Sequence, residues 1–159
     1  MTAVKTWGAA PNILAEAGVP EDQSYYRRFT TDDEKAVLTV GMRIRAAWKA
    51  NDPDMFADTF AENGSLLMGD RQLTDREEIR AYMAEGFAGG LKGAYVEGWP
   101  VEVRFLSADV ALLITEGGIV MPGSAGLQDA NLIRSSWVIN RRDDGRHRLV
   151  SHQSSPVKS

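Results

Sequence analysis

Two stretches of alternating apolar and polar residues decide the fold: WPVEVRFLSADVALLITEGGIVM, residues 99–121, and ANLIRSSWVINRRDDGRHRLVSHQSS, residues 130–155. Apolar side chains recur at about every second position of each stretch, which is typical of half-buried β-strands. The first stretch breaks at SAD, residues 107–109, and the second at DDG, residues 143–145, where a glycine can take the positive φ of a short hairpin loop. The two stretches therefore predict four consecutive antiparallel strands.

Helix signals precede these strands. Thr31 is a good N-cap, Glu34 stands at the capping-box spacing, and the apolar residues that follow recur at intervals of three and four. This pattern predicts a long amphipathic helix that ends near Asn51. Asp52 as a cap and Pro53 at the first helical position then predict a short second helix.

A short strand and a third helix complete the predicted elements. The strand is SLLMGD, residues 65–70, and the helix lies within residues 73–90, where Thr74 is the cap and Glu77 follows three positions later. Helices first and a meander of strands last are typical of an α+β domain. We therefore predict three helices packed on one face of a mainly antiparallel sheet.

Length and composition indicate one globular domain. The chain has 159 residues, of which 43% are hydrophobic and 25% are charged, and it contains no cysteine. Disulfides, thiol nucleophiles and cysteine-ligated metal sites are therefore excluded. Residues 1–30 lack sustained periodicity and are interpreted as an N-terminal arm that is either mobile or lies across the body. Residues 31–159 are interpreted as the domain.

Charge and hydropathy bear on partners and location. The net charge is −4 and no block of like charges occurs, so neither nucleic acid nor an anionic membrane surface is an expected partner. No stretch approaches the roughly 20 apolar residues of a membrane span. Residues 1–20 lack the pattern of a secretory signal. We expect a cytoplasmic protein.

Three segments carry a resemblance to a known family: Trp48 with NDPDMFADTFAENGSLLM at residues 51–68, REEIRAYMAEGF at residues 76–87, and WVINRRDDGRHRLVSHQSSP at residues 137–156. They resemble the SnoaL-like branch of the NTF2-like superfamily, and in particular the SgcJ/EcaC group of small actinobacterial proteins. The resemblance implies a strongly curved sheet that wraps the helices into a cone, with a pocket between them and usually a homodimer formed through the sheet. It also implies an accessory role in natural-product biosynthesis, such as enediyne pathways.

Strand parity separates the two faces of the predicted sheet, because alternate side chains point to opposite sides. One face carries no Asp, Glu, Lys or Arg, and since unpaired charges are costly to bury, this face is expected to pack against the helices. His152, Glu116 and Arg134 fall on the other face, where the last two are expected to form a cross-strand ion pair. The face without charges consists of Val101, Val103, Phe105, Leu113, Thr115, Ile133, Ser135, Trp137, Ile139, His147, Leu149, Ser151 and Gln153.

The charge-free face offers neutral hydrogen-bonding groups beside a large aromatic surface, and aromatic residues of the helices are expected to close the opposite side. Such a lining suits a mostly apolar ligand with a few carbonyl or hydroxyl groups. The leading hypothesis is a dimeric, cofactor-free protein that binds a hydrophobic small molecule, which the family resemblance specifies as polyketide-like. The predicted ligand-binding residues are Trp48, Phe60, Met68, Tyr82, Thr115, Ser135, Trp137, Ser151 and Gln153.

An enzyme is the alternative: a SnoaL-like isomerase, cyclase or hydrolase in which Asp70 or Asp58, with Tyr82, donates or accepts a proton. A third interpretation is a scaffold whose pocket is filled by side chains. His147 is interpreted as a packing residue, and it lies opposite to His152 in strand parity, so the two cannot bind a metal together. No HExxH, P-loop, GxGxxG or GxSxG motif occurs, and we expect neither a metal nor a nucleotide cofactor.

The outer face of the predicted sheet carries an apolar patch edged by charged residues, which is typical of a protein interface. Symmetric dimers are the commonest oligomers. We therefore predict a two-fold homodimer that packs sheet to sheet. Its predicted contact residues are Leu112, Ile114, Glu116, Arg134, Val138 and His152.

Overall fold

The computed structural model describes residues 6–142 and 145–157 of the chain. Its helices are α1 (Ala10–Ala17), α2 (Asp32–Ala50), α3 (Pro53–Asp58) and α4 (Arg76–Ala88), with 3₁₀ turns at Gln23–Tyr26 and Asp129–Asn131. Its strands are β1 (Phe60–Met68), β2 (Arg71–Leu73), β3 (Tyr95–Phe105), β4 (Val110–Val120), β5 (Ile133–Arg141) and β6 (His147–Pro156). Asp143 and Asp144 of the predicted DDG loop lie outside the described residues.

The strands form one curved sheet in the order β2-β1-β6-β5-β4-β3. Every neighbouring pair is antiparallel except β1 and β6, which are parallel. The four strands predicted from the alternating stretches are therefore adjacent and in chain order, and β1 and β2 extend the sheet beside β6. The α+β class is confirmed, although the described residues contain four α-helices where three were predicted.

The capping chemistry of α2 and α3 agrees with the prediction. The Thr31 hydroxyl accepts a hydrogen bond from the Glu34 amide at 3.2 Å, and the Glu34 carboxylate accepts one from the Thr31 amide at 3.2 Å. Asn51 ends α2 in the left-handed conformation, with φ of 50°. The Asp52 carboxylate caps α3, and Pro53 occupies the first turn. These local signals fix where the two helices begin and end.

Two element boundaries differ from the prediction. The N-cap of α4 is Asp75 rather than Thr74, because the Asp75 carboxylate accepts the Glu78 amide at 2.7 Å; an anionic acceptor suits the positive end of a helix better than a hydroxyl. Strand β1 covers Phe60–Met68 instead of residues 65–70. Its extra length comes from parallel pairing with β6, which is remote in sequence.

The N-terminal segment, residues 6–30, packs on the body, so of the two interpretations above the arm that lies across the body is the one observed. The Trp7 ring lies 5.5 Å from Phe105 and 5.1 Å from His147 between centroids, and His147 Nε2 donates to the Trp7 carbonyl at 2.6 Å. His147 is therefore a packing residue, as predicted. Buried residues of the segment are Trp7, Ala10, Leu14, Val19, Tyr25, Tyr26 and Phe29.

The hydrophobic core lies between the helices and one face of the sheet. Its largest fully buried side chains come from all four α-helices and from the five strands β1, β2, β4, β5 and β6, so both layers contribute to one cluster. No helix in the described part of the chain is long and apolar enough to cross a membrane. The fully buried side chains include Leu14, Leu38, Met42, Phe56, Phe60, Leu66, Ile79, Met83, Leu113, Ile139 and Leu149.

Strands β3 and β4 approach too closely at Gly117 for any side chain. A Cβ added there would lie 2.2 Å from the Glu97 carbonyl oxygen and 2.6 Å from Gly98 Cα. Since both obstacles are backbone atoms, we expect Gly117→Ala to lower the free energy of unfolding by about 1–3 kcal/mol. Urea denaturation measures this change. The control is Gly90→Ala, which has no heavy atom within 4 Å of the added Cβ and is expected to change stability by about 0.5 kcal/mol or less. Equal stability of the two variants would contradict the close approach.

Candidate functional site

A cavity of about 330 Å³ lies between α2, α3 and the concave face of the sheet. This volume is at the lower end of the range for small-molecule sites, and such sites are mostly apolar with a few polar groups. The cavity follows that composition. Its apolar and aromatic lining consists of Ile44, Trp48, Phe56, Phe60, Leu67, Met68, Val96, Ile119, Ile133 and Trp137.

A β-bulge in β6 controls which side chains of that strand face the cavity. On β5, Ile139 pairs with Leu149, but the preceding residue, Val138, pairs with Ser151, so Val150 has no partner on that strand. One extra residue shifts the register of a strand and reverses the face of every side chain after it. The first residues of β6 therefore keep the predicted orientation, and the later ones are reversed.

The reversal brings His152 to the cavity. His152 pairs directly with Trp137 and lines the cavity beside it. The prediction that His152 points to the outer face was wrong, because it assumed strict alternation of side chains along β6 and the bulge breaks that alternation. Ser151 and Gln153 pair with Val138 and Ser136 on the outer face. The prediction that these two residues line the pocket was wrong for the same reason.

His152 is a neutral group with unused hydrogen-bonding capacity. Its ring meets the Trp137 ring edge to face, with centroids 4.3 Å apart and planes at 81°. Both ring nitrogens are buried, and neither has a hydrogen-bond partner among the described residues. Burial lowers the pKa of His152 to about 4, since desolvation penalises the imidazolium. The neutral ring carries one donor and one acceptor, and neither is used within the described residues.

Further polar groups surround the cavity. Trp137 Nε1 donates to Thr115 Oγ1 at 2.8 Å, which holds the indole in place. Tyr25, from the N-terminal segment, forms part of the wall, and burial raises its pKa to about 12, so its phenol stays protonated. Arg45 lies at the edge, where it forms a 2.8 Å ion pair with Asp22 and stacks over the Tyr25 ring. The Arg45 guanidinium is therefore already paired with a carboxylate.

Six of the predicted ligand-binding residues line the cavity: Trp48, Phe60, Met68, Thr115, Ser135 and Trp137. Tyr82 instead packs against the core from α4, under the Arg71 guanidinium. The structure does not bring the three candidate acid and base residues into the cavity. Asp70 is exposed in the turn between β1 and β2, and Asp58 borders a separate polar cavity of about 440 Å³. In the described ranges, no group of three or more acidic or histidine side chains is arranged to hold a metal ion.

Sequence reasoning missed His152, Tyr25 and Arg45 as residues of the cavity. For Tyr25 a signal existed, because the aromatic pair Tyr25 and Tyr26 in an otherwise irregular segment indicates a docked surface. For Arg45 the signal was the helical period, since it lies near Trp48 on α2. For His152 the local sequence contains no signal of the bulge.

No protein-family model matches the chain, and no curated protein matches it. Solved structures match its fold. A domain of unknown function with a cystatin-like fold from Nostoc punctiforme is 24% identical, with a TM-score of 0.74 over 82% of this chain and 80% of that chain. An NTF2-like protein with a cystatin-like fold from Novosphingobium aromaticivorans is 16% identical, with a TM-score of 0.64 over 76% and 79%. A ketosteroid isomerase-like protein from Erwinia carotovora atroseptica is 15% identical, with a TM-score of 0.58 over 76% and 92%. The chain therefore has the cystatin-like, or NTF2-like, fold, as the resemblance implied.

The buried His152 makes stability depend on pH. In the unfolded chain a histidine takes up a proton below about pH 6.5, whereas in the fold the pKa of His152 is about 4. The contribution of neutral His152 to the free energy of unfolding is therefore complete above pH 6.5. It is lost as the pH falls from about 6.5 to 4, by about 1.4 kcal/mol per pH unit. Urea denaturation at a series of pH values is expected to show a shallower loss for His152→Phe than for the wild type. His147 is present in both proteins, so the difference isolates His152. An NMR titration of His152 with a midpoint near 6.5 would contradict the prediction.

Proposed function

We propose that this protein binds a neutral, largely apolar small molecule in the 330 Å³ cavity, with His152 as the directional polar contact. The observation that carries the proposal is the His152 ring, which is uncharged near neutral pH, lies against Trp137 and has two unpartnered nitrogens. Unsatisfied buried polar atoms are rare in folded proteins and need an explanation. A bound molecule with a hydroxyl or carbonyl group supplies one.

Binding is favoured over catalysis because none of the three predicted acid and base residues lines the cavity, although Glu97 and Glu116 do. Asp58 and Asp70 lie away from the cavity, and Tyr82 is not among its lining residues. A general base works best when its pKa is near the operating pH, and the pKa of His152 is about 4. A cofactor-free isomerase, cyclase or hydrolase is therefore the second candidate function, with His152 as the proton acceptor. The ketosteroid isomerase-like neighbour supports it only as a protein of the same fold.

The finer assignment rests on the sequence resemblance over about residues 31–156. On that resemblance we propose that the chain is a member of the SgcJ/EcaC group of the SnoaL-like branch and acts as a cytoplasmic accessory protein of natural-product biosynthesis of the enediyne type. The ligand is then polyketide-like. The mostly apolar cavity with a few neutral polar groups supports a ligand of this kind, since many polyketides combine a flat apolar body with hydroxyl and carbonyl groups.

Two probes that differ by one hydroxyl test the role of His152. We expect the wild type to bind 2-naphthol more tightly than naphthalene in calorimetric titrations. His152→Phe keeps the aromatic contact with Trp137 but removes both nitrogens. It is therefore expected to lose about tenfold in affinity for 2-naphthol, the equivalent of one net hydrogen bond, and about twofold or less for naphthalene.

The matched control is Gln153→Ala, at the next residue along β6. Gln153 lies on the outer face, so its loss is expected to leave the affinity for 2-naphthol unchanged. A weaker affinity in Gln153→Ala together with an unchanged affinity in His152→Phe would mean that Gln153, and not His152, faces the cavity. That result would contradict the site described above. If the wild type turns over an enolisable ketone and His152→Phe does not, the result would instead favour the second candidate function, an enzyme.

We also propose that two copies pair through the outer face of the sheet. Leu112 and Val138 are directly opposed on that face, and Ile114 is the next residue on the same side of β4. All three are partly exposed. The predicted ion pair between Glu116 and Arg134 forms at 3.0 Å and flanks them. His152 is no longer part of the expected interface, because it faces the cavity.

Light scattering after size exclusion tests the homodimer. The wild type is expected at twice the chain mass of 17.4 kDa. Ile114→Glu places a charge at the centre of the patch and is expected to give a monomer, because a buried unpaired carboxylate opposes association. Leu106→Glu makes the same change at an exposed turn residue away from the patch and is expected to stay dimeric. A monomeric wild type at micromolar concentration would remove this part of the proposal.

A further inference from the structure

Three hydroxyl side chains form a row across the wall of the cavity. Thr115 on β4 is directly opposite Ser135 on β5, and Ser135 is directly opposite Ser154 on β6. Directly opposed residues of antiparallel strands share a face, and all three line the cavity. The adjacent row on the same face contains Trp137 and His152. The hydroxyl row and the aromatic contact are therefore neighbours on one wall.

The hydroxyl groups of this row have unused hydrogen-bond donors and acceptors. Thr115 Oγ1 accepts from Trp137 Nε1, so its own O–H remains free to donate. Within residues 6–142 and 145–157, neither the Ser135 nor the Ser154 hydroxyl makes a side-chain hydrogen bond. Thr115 and Ser135 are only 6% and 4% exposed, so bulk water has little access to them. A molecule in the cavity is the partner that these groups can reach.

The spacing of the row is set by the sheet. Directly opposed Cα atoms of antiparallel strands are alternately about 4.5 and 5.5 Å apart, so the three hydroxyl-bearing residues recur at an average interval of about 5 Å. Two oxygens in a 1,3 relationship on a six-membered ring are separated by nearly the same distance. Oxygens in a 1,2 relationship are much closer together, and those in a 1,4 relationship point in opposite directions, so they cannot both face one wall. The row therefore matches a 1,3-oxygenated edge better than the other two patterns.

The charge of this wall limits the ligand further. Thr115, Ser135, Ser154 and their neighbours Trp137 and His152 are all uncharged near neutral pH, so an ionic group placed against them would lose its hydration without a countercharge. Neutral hydroxyl and carbonyl oxygens lose less, because the row can hydrogen-bond to them.

We infer that the ligand is a neutral ring compound with oxygens in a 1,3 relationship along one edge. These oxygens bind the row formed by Thr115, Ser135 and Ser154, and the ring packs against the aromatic lining beside Trp137. The inference rests on the proposed binding function and adds the chemical class of the ligand.

Calorimetric titration of the full chain with three bicyclic probes tests this class. We expect 1,3-dihydroxynaphthalene to bind about tenfold more tightly than 2-naphthol, the equivalent of one additional hydrogen bond. The isomer 2,3-dihydroxynaphthalene is expected to bind no more tightly than 2-naphthol, because its oxygens are too close together for two residues of the row.

Variants of the row show whether the preference comes from it. Ser135→Ala removes the central hydroxyl and is expected to reduce the preference for the 1,3-diol to about twofold or less, while 2-naphthol still binds. Ser154→Ala tests the same row at a position that is less buried than Ser135. Ser136→Ala is the matched control, since Ser136 is the next residue of β5 and is exposed on the outer face. It is expected to retain the full preference.

The outcomes separate the two proposals. If none of the three probes binds, the proposed binding function and the ligand class both fail. If 2-naphthol binds but the 1,3-diol has no advantage, only the ligand class fails. The ligand class also fails if the advantage persists in both Ser135→Ala and Ser154→Ala.

Discussion

Val150 has no partner on β5, because Ile139 pairs with Leu149 and Val138 pairs with Ser151. Before this bulge, β6 places Leu149 in the core. After it, the strand presents His152 and Ser154 to the cavity. This single unpaired residue decides which polar side chains β6 gives to the wall, since an unbulged strand would turn His152 and Ser154 away and present Ser151 and Gln153 instead.

The bulge occurs where β6 is held on its other side by β1. Phe60 pairs with Leu149, whose amide also donates to the Thr59 carbonyl at 2.8 Å, and the next pair joins Ser65 to Ser151. Both strands are therefore irregular at the same level of the sheet. Gly64 fits there because a Cβ would lie 3.1 Å from the Leu149 carbonyl oxygen. The register of β6 is a compromise between a parallel and an antiparallel neighbour.

Desolvation gives the cavity its neutral chemistry. It lowers the pKa of His152 to about 4 and raises that of Tyr25 to about 12, so both groups are uncharged near neutral pH. Two of the charged residues that line the cavity are held in ion pairs, Arg45 with Asp22 and Glu116 with Arg134. A site of this kind discriminates by hydrogen-bond placement and shape rather than by charge.

The sequence by itself determined the elements that depend on neighbouring residues. The caps at Thr31 and Asp52, the hairpin corner at residues 107–109 and the alternation of β4 and β5 are local properties, and their positions followed from local chemistry. The cavity residues Trp48 and Trp137 followed as well, because each lies on an amphipathic element before any irregularity. Tertiary structure decided the docking of Trp7 and Tyr25, whose partners are remote in sequence. It also decided the face of His152, because a bulge arises from pairing with two other strands and no local pattern in β6 encodes that pairing.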